Sequence, residues 1–227
     1  MSFRTREEYE EAKRTWYPAP HVAYIQETGD WISFIGSDDL IFEDEALTKI
    51  MGNVKLRDVN KLQQLGNRFR KSDISTFNEF RYFSCILKLE DNAFEGCANL
   101  QHIVLPEYLY IIGHHAFSHC VSLEKLDLPP TVEIIGDSAF SGCSSLKSIT
   151  IPYQVKSIGT YAFSKCTALE EIDIKTYMPP YIHDATIIEG CSSLRSINMY
   201  PSVVEKCKAD HTWQKLSHLL KPKEWRR

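Results

Sequence analysis

A spacing of 23 residues constrains the fold of this chain more than any other feature. Four Ala-Phe-x-x-Cys motifs follow one another at this spacing, ending at Cys97, Cys120, Cys143 and Cys166. A fifth, altered copy ends two residues late, at Cys191. A fixed period of about 20–50 residues is typical of stacked repeats, because one such unit cannot bury its apolar side chains alone. The spacing therefore predicts an open solenoid.

Each cysteine is followed by a pattern that predicts a short strand. In Ile149-Thr150-Ile151 the alternation places both isoleucines inward and the threonine outward. A proline comes next in most copies and ends the strand, since it has no N–H group. A second extended segment, Val132 to Ile135, stops at Gly136, and the Ala-Phe-x-x-Cys motif then makes a tight helical or 3₁₀ turn. We expect equivalent strands of neighbouring units to pair in parallel, about 4.8 Å apart.

This pattern resembles the BspA-type leucine-rich repeat, IP-xx-V-xx-I-G-xx-AF-xx-C-xx-L-xx-I, from about residue 85 to residue 200. The flanking segments, Ile74 to Phe83 and Pro201 to Trp213, are similar to the lead-in and closing segments of such arrays. The resemblance implies an α+β leucine-rich-repeat solenoid with parallel strands stacked on one face. It also implies a bacterial protein, often surface-located, that serves in binding or adhesion and has no catalytic activity.

Three regions follow from where the repeat begins and ends. We expect an N-terminal α/β cap or small module in residues 1–71, the repeat array of about five units in 72–200, and a short helical closure in 201–227. The two ends of the chain carry opposite charge. Residues 202–227 contain seven lysines and arginines and three acidic residues, whereas residues 1–50 contain eleven acidic and five basic residues. This polarity fits either head-to-tail association or two solvated ends.

Within the N-terminal region, local patterns predict several short elements. A capping box at Thr5 and Glu8 favours a helix to about Arg14. The segment Val22 to Ile35, centred on Thr28-Gly29-Asp30, is typical of a hairpin. Two further helices are predicted, from Glu43 to Met51 and from Leu56 to Leu65.

Caps are expected at both ends of the array. A capping box at Thr76 and Glu79 predicts an entry helix over residues 76–84, whose phenylalanines would cover the open core of the first unit. At the other end, Ser202 would cap a helix that closes the last unit. The side chains assigned to these two seals are Phe77, Phe80 and Phe83 for the first, and Val203, Val204, Cys207 and Trp213 for the second.

Composition limits the classes of partner and location. With 227 residues, of which 43% are hydrophobic, the chain can form a sizeable core. A net charge of −4 argues against general affinity for nucleic acid or anionic membranes. No apolar run is long enough for a membrane span, and Met1 to Arg4 lead directly into charged residues. The chain as written is therefore expected in the cytoplasm, although the resembled family is often secreted or on the cell surface.

The cysteines of the repeat predict a ladder of buried side chains. They occupy one position of the repeat, and free cysteine is among the most often buried residues. Zinc needs closely paired ligands, which a 23-residue period does not supply. Cys85 and Cys207 lie outside the ladder and are the predicted reactive thiols.

No catalytic, metal or cofactor motif is expected. The acidic cluster of Asp38-Asp39 and Glu43-Asp44-Glu45 lacks the spacing of a calcium loop and favours a solvated helix start. His114, His115 and His119 lie close together, and the last two could share a helical face. Their counterparts in the next unit are Asp137, Ser138 and Gly142, which indicates variable surface positions rather than a metal site. Recognised nucleophile, phosphate-loop and zinc-protease motifs are absent from the sequence.

Two surfaces are candidates for binding. The outward positions of the predicted sheet are polar and lack aromatic anchors, so both a solvated face and a binding face remain open. The segment around Tyr177 and Tyr181 interrupts the repeat and is predicted to form a loop, a second candidate contact. The outward candidates are His102, Lys125, Asp127, Ser148, Thr150, Glu171, Asp173, Ser196 and Asn198.

These patterns favour a non-enzymatic module that binds a protein or another extended macromolecular surface, with cell-surface adhesion as one form. The alternative is a structural or self-assembling scaffold, and the oligomeric state stays open. An enzyme confined to residues 1–71 is disfavoured, since that segment is short and shows no nucleophile–base pattern.

Overall fold

The computed structural model describes residues 23–24, 31–32, 42, 44–52, 59 and 61–225 of the chain. In the repeat region, short parallel strands alternate between two faces, joined by tight turns around one continuous apolar core. The predicted solenoid is confirmed. The extended segment before each glycine also pairs with its neighbours, which adds the second sheet.

The N-terminal hairpin and one of the predicted helices are confirmed. Strand β1 (Ala23–Tyr24) pairs antiparallel with β2 (Trp31–Ile32), and helix α1 spans Glu45–Met51. Residues 61–65 are not helical, so the predicted helix from Leu56 to Leu65 is wrong over that stretch. The helix predicted from Thr5 lies outside the described residues.

The strands of the repeat array are two to four residues long. One face carries the first sheet, with the strand order β13-β12-β10-β8, and the separate two-stranded pair β3-β5. The other face carries the second sheet, with the order β11-β9-β7-β6-β4. In chain order they are β3 (Thr76–Phe77), β4 (Lys88–Leu89), β5 (His102–Ile103), β6 (Ile111–Ile112), β7 (Ile134–Ile135), β8 (Ser148–Ile151), β9 (Ser157–Ile158), β10 (Glu171–Ile174), β11 (Tyr181–Ile182), β12 (Ser196–Met199) and β13 (Leu220–Pro222).

Short helical elements complete the fold. Helix α2 spans Pro201–Ala209 and α3 spans His211–Gln214, while 3₁₀ turns cover Asn78–Tyr82, Ala185–Ile188 and Ser217–Leu219. No helix in the described ranges is long and apolar enough to cross a membrane.

Strand pairing keeps equivalent residues in register, as the period predicts. Ile149, Ile172 and Ile197 are Cα partners across β8, β10 and β12. Along β8, buried and exposed residues alternate, with Thr150 exposed between Ile149 and Ile151. The inward and outward assignment of this strand is therefore confirmed.

A ladder of parallel phenylalanine rings fills the core. Phe117 and Phe140 lie 5.5 Å apart between ring centroids with a 3° angle between planes, and Phe140 and Phe163 lie 5.4 Å apart at 1°. Phe94 and Phe69 extend the ladder at 5.3 Å per step. All five side chains are fully buried. Because the rings repeat at nearly the strand spacing, each coil fixes the position of the next.

The cysteines form a second ladder beside the rings. The Cys143 thiol donates to the backbone carbonyl of Phe117 at 3.1 Å, and Cys166 donates to Phe140 at the same distance. Burial raises the pKa of the Cys143 thiol to about 12, so it stays protonated and can donate. The predicted core role of the four regular cysteines is confirmed, since each is fully buried.

The glycine of each unit allows successive coils to approach closely. A Cβ atom placed on Gly136 would lie 2.7 Å from the backbone of Gly113 and His114 in the preceding coil. Any larger residue would push the two coils apart, which explains the glycine at this position of the repeat.

Phenylalanines seal the first coil, as predicted. Phe77 lies 5.0 Å from Phe80 and 5.6 Å from Phe83 between ring centroids, and Phe80 lies 5.9 Å from Phe94. The entry helix predicted over 76–84 forms only in part, because the backbone of Thr76 pairs with His102 on β5. The shorter 3₁₀ turn begins only at Asn78.

Asp44 joins helix α1 to the start of the array. Its Oδ1 accepts the N–H of Leu47 at 3.0 Å and caps the helix. Its Oδ2 accepts the N–H and hydroxyl of Ser75 at 2.6 and 2.7 Å, and the N–H of Thr76 at 3.2 Å. Burial opposes ionisation, but these hydrogen bonds outweigh it and lower the pKa of the carboxyl group. The prediction of a solvated cluster is wrong at Asp44, which is buried.

Two predictions at the C-terminal end also need correction. Ser202 does not cap α2, because Pro201 already occupies the first helical turn and Tyr200 is the residue before it. Cys207 is not an accessible thiol: it is fully buried, and its Sγ lies 3.5 Å from the Sδ of Met199. Burial raises the pKa of this thiol to about 12.

We expect Phe140→Ala to lower the free energy of unfolding by about 3–5 kcal/mol, because it removes one ring from the middle of the ladder. Thr150→Ala, on the exposed side of β8, should change it by less than about 0.5 kcal/mol. Urea unfolding of both variants measures the two values. Equal losses would contradict the burial pattern of the coil.

We expect Asp44→Ala to lower the free energy of unfolding by about 2–3 kcal/mol, because it removes a helix cap and a charged acceptor of three further hydrogen bonds. The exposed Glu45→Ala is the matched control and should cost less than about 0.5 kcal/mol. Since the folded pKa of Asp44 lies below the unfolded value, its stabilisation is present above about pH 4 and is lost as pH falls through the folded pKa. Asp44→Asn should therefore flatten the acid limb of urea unfolding; an unchanged limb would show that Asp44 does not anchor the helix.

Thiol labelling of the native chain should modify Cys85 first, since it is exposed. Cys191, which is half-buried, should follow, because a hydrogen bond with the Cys166 thiol lowers the pKa of Cys191. The remaining five cysteines should react only in denaturant. Mass spectrometry of timed samples gives the order, and early modification of Cys120 or Cys143 would contradict the thiol ladder.

Candidate functional site

The first-sheet face is formed by the outward side chains of β5, β8 and β10 and of residues 125–127, which lie between β5 and β8 in the array but form no strand. Lys125 and Asp127 form an ion pair at 2.8 Å between Nζ and Oδ2. Thr150, Ser148 and Glu171 are exposed beside them, and so is His102 further along. This surface is polar, and the charges of Lys125 and Asp127 neutralise each other.

A charge ladder runs along the edge of the same face. Backbone hydrogen bonds join its residues from coil to coil. The N–H of Lys147 donates to the carbonyl of Glu124, the N–H of Glu170 to the carbonyl of Lys147, and the N–H of Arg195 to the carbonyl of Glu170. Their side chains alternate in sign, with Lys147 Nζ 2.8 Å from Glu124 Oε2 and Arg195 3.4 Å from Glu170. The hydrogen bond from Lys147 lowers the pKa of Glu124.

The C-terminal end of the first-sheet face is covered. Ser196 and Asn198 are only 4% and 7% exposed, so the expectation that they point to solvent is wrong. Asn198 donates to Asp173 Oδ1 at 2.7 Å, and Lys223 reaches both oxygens of Asp173 at 2.9 Å. The chain after β13 thus folds over this end, and a partner cannot contact these side chains directly.

The segment around Tyr177 and Tyr181 is strongly exposed but is not one loop. Tyr177 and Met178 lie in a bend and are 63% and 61% exposed. Tyr181 is 66% exposed yet belongs to β11, where it pairs with Ser157. The preceding Pro180 accepts the indole N–H of Trp213 at 3.0 Å, which fixes the segment against α3.

An aromatic ridge follows the turns that lead from the first sheet to the second; we define it as Tyr108, Tyr153, Tyr177 and Met178. A backbone hydrogen bond closes each of the turns that hold Tyr108 and Tyr153. The N–H of Leu109 donates to the carbonyl of Pro106, and the N–H of Val155 donates to the carbonyl of Pro152. Tyr108 and Tyr153 are more than half exposed. In the next coil, Tyr177 stacks on Tyr200 with 5.3 Å between ring centroids. Rigid turns therefore present large aromatic side chains along several coils.

A cleft of about 370 Å³ lies on the outer face of the second sheet. Its floor includes Ile134 and Ser157, which are Cα partners on β7 and β9, and Tyr181 stands on the next strand. Further lining residues come from the turns after β6, β7, β9 and β11: His114, Asp137, Thr160 and His183.

Hydrogen bonds between successive coils hold the rim of this cleft. His114 Nδ1 accepts the N–H of Asp137 at 2.9 Å, and Asp137 Oδ1 accepts the N–H of Thr160 at 2.8 Å. Asp91 accepts the N–H of His114 in the same way, at 2.9 Å. These equivalent bonds fix the side chains of Asp91, His114 and Asp137 from one coil to the next.

The three neighbouring histidines do not come together as a ligand set. His115 and His119 have φ values of 55° and 60°, so they lie in turns and share no helical face. Across the part of the chain that the structure describes, no three His, Cys, Asp or Glu residues are placed to hold a metal ion. Asp38, Asp39 and Glu43 lie outside that part.

Sequence reasoning named Tyr177 and Tyr181 but missed the rest of the ridge and the cleft. Ile134 is 40% exposed, although its type suggests the core. The alternation of inward and outward residues along a strand could have revealed this exposure, because Ile134 directly precedes the inward Ile135 and must point outward. For the ridge, the sequence feature was a tyrosine soon after the strand-ending proline: Tyr108 two residues after Pro106, and Tyr153 one residue after Pro152.

Comparison with known proteins agrees with the repeat. The family model for the BspA type leucine rich repeat region matches residues 68–210 in six copies, one more than expected, and starts earlier than the resemblance at residue 85. The earlier start includes Phe69, the first ring of the ladder. No curated protein matches the chain.

Several solved structures are similar over part of their length. A leucine-rich repeat protein from Bacteroides ovatus is 33% identical over 51% of this chain and 29% of its own, with a TM-score of 0.44. A leucine rich cell surface protein from Faecalibacterium prausnitzii is 25% identical over 62% of this chain and 34% of its own, with a TM-score of 0.46. The pneumococcal vaccine antigen PcpA is 18% identical, with a TM-score of 0.56 over 90% of this chain and 51% of its own.

The chain thus spans between 29% and 51% of the length of these solved proteins. The last likeness agrees with the fold alone. The family match covers well over half of the 227 residues and includes every coil of the phenylalanine ladder. This chain belongs to the family of proteins with a BspA-type leucine-rich repeat region.

Proposed function

We propose that this chain is a non-enzymatic binding module that recognises another protein through the aromatic ridge. The observation that carries this proposal is the exposure of the ridge: Tyr108, Tyr153, Tyr177 and Met178 are each more than half exposed. Binding energy at protein interfaces is concentrated in a few residues, and tyrosine is among the most favoured.

The rigidity of the ridge supports this role. Tyr108 and Tyr153 sit in turns closed by a backbone hydrogen bond, and Tyr177 is stacked on Tyr200. A side chain already held in place loses less conformational freedom when a partner binds. The ridge spans several coils, although the turn at Thr131 between Tyr108 and Tyr153 carries no aromatic residue. Contacts spread in this way suit an extended protein surface better than a small ligand.

The exposed polar residues of the first-sheet face would extend this contact at its rim. Lys125, Asp127, Ser148, Thr150 and Glu171 are exposed, but their charges are largely paired. Rim contacts of this kind contribute mainly to specificity and association rate. Adhesion to a surface protein is one form that this function can take.

Three ridge substitutions in one chain test the proposal: Tyr108→Ala, Tyr153→Ala and Tyr177→Ala. The matched control replaces three exposed first-sheet residues, Lys125→Ala, Ser148→Ala and Glu171→Ala. A partner is first retained on the immobilised wild-type chain from a host surface extract, and its Kd is then measured for each variant. We expect the ridge variant to bind about 100-fold more weakly and the control to stay within about threefold.

The opposite ranking would assign binding to the first-sheet face. Light scattering over a range of concentrations separates the scaffold alternative from this proposal. A mass that rises with concentration in the wild type, but not in the ridge variant, would show that the ridge joins copies of this chain, contrary to the proposal.

A further inference from the structure

The cleft on the second sheet differs chemically from the ridge. Three adjacent strands place an aliphatic side chain, a hydroxyl and an aromatic ring in a row: Ile134, Ser157 and Tyr181. At about 4.8 Å per strand, this row spans about 10 Å. The volume of the cleft, about 370 Å³, lies within the range of small-ligand sites. The cleft therefore fits one or two rings of a small ligand rather than a protein surface.

The rim of the cleft presents both hydrogen-bond donors and an acceptor. Since His114 Nδ1 accepts the N–H of Asp137, the neutral imidazole carries its proton on Nε2, which makes Nε2 a donor. Asp137 uses Oδ1 for the N–H of Thr160, and its Oδ2 lies 3.4 Å from His114 Nδ1, so a ligand hydroxyl would use the remaining lone pairs of the carboxylate. Ser157 and Thr160 add hydroxyl groups.

The charges of the cleft exclude several ligand classes. No lysine or arginine lines it, and nearby Lys156 is paired with Glu133 at 2.6 Å, so the Asp137 carboxylate would repel an anion such as phosphate. His114, Asp137 and His183 all line the cleft, but among the described residues they are not placed together to hold a metal ion. A wholly apolar ligand would leave the polar rim unpaired.

We propose that this cleft binds a neutral saccharide. The apolar face of a sugar ring would stack on Tyr181, which is 66% exposed, and rest against Ile134. Vicinal hydroxyl groups would donate to Asp137 and accept from His114. A ligand with one apolar face and a hydroxyl edge satisfies both halves of the cleft at once, which none of the excluded classes does.

The test uses the full chain with cellotriose, maltotriose and N,N′,N″-triacetylchitotriose as probes at millimolar concentration. Amide chemical shifts are followed during titration, with glycerol and inorganic phosphate as reference solutes. We expect at least one trisaccharide to give saturable shifts at residues 134–137, 157–160 and 181–183. Glycerol has hydroxyl groups but no ring face, so it should give none.

Variants separate this site from a general surface effect. Tyr181→Ala should weaken binding about tenfold, whereas Tyr181→Phe keeps the ring and should stay within about twofold. Asp137→Asn should also weaken binding, because it removes the charged acceptor. Tyr110→Ala, at an exposed tyrosine outside both the cleft and the ridge, is the matched control and should leave the sugar affinity unchanged.

Four outcomes would overturn the proposal: no saturable shift with any trisaccharide, equal binding by wild type and Tyr181→Ala, shifts with glycerol equal to those with sugar, or stronger binding of phosphate than of sugar. The ridge does not take part in any of these measurements. Failure of the saccharide proposal therefore leaves the protein-binding proposal standing, and the reverse also holds.

Discussion

The contact between one coil and the next inside the array is the interaction on which the rest of the structure depends. Each phenylalanine ring lies nearly parallel to its neighbour, and each thiol beside it donates to a carbonyl of the preceding coil. Together they fix both the spacing and the register of the coils. The two sheets, the ridge and the cleft inherit that register, since every surface side chain is placed by its position in the repeat.

Both ends of the stack need special solutions, because the terminal coils have no neighbour on one side. At the N-terminal end, a cluster of phenylalanines closes the core, and the buried carboxylate of Asp44 holds helix α1 to the start of β3. At the C-terminal end, Trp213 packs in the core while Lys223 crosses back to Asp173 on the outer face. The ends are therefore sealed by contacts between residues far apart in the chain.

Sequence reasoning recovered what depends on the period and missed what depends on distant pairing. The inward positions of Ile149 and Ile151 and the burial of Cys143 follow from alternation and repetition, which are local. Asp44 reaches a serine 31 residues away, and Lys223 an aspartate 50 residues away; neither pair leaves a local pattern. At Thr76, strand pairing prevailed over a good capping box, because β5 supplies a partner that the local pattern does not show.

The charge ladder of Glu124, Lys147, Glu170 and Arg195 affects how an array of this kind can change length by recombination between repeats. Neighbouring coils carry opposite signs at this position. Loss of one internal unit would bring Glu124 beside Glu170, or Lys147 beside Arg195, whereas loss of two adjacent units would preserve the alternation. In this part of the array, a change by two units therefore keeps opposite charges adjacent. A change by one unit places like charges side by side and is electrostatically less favourable.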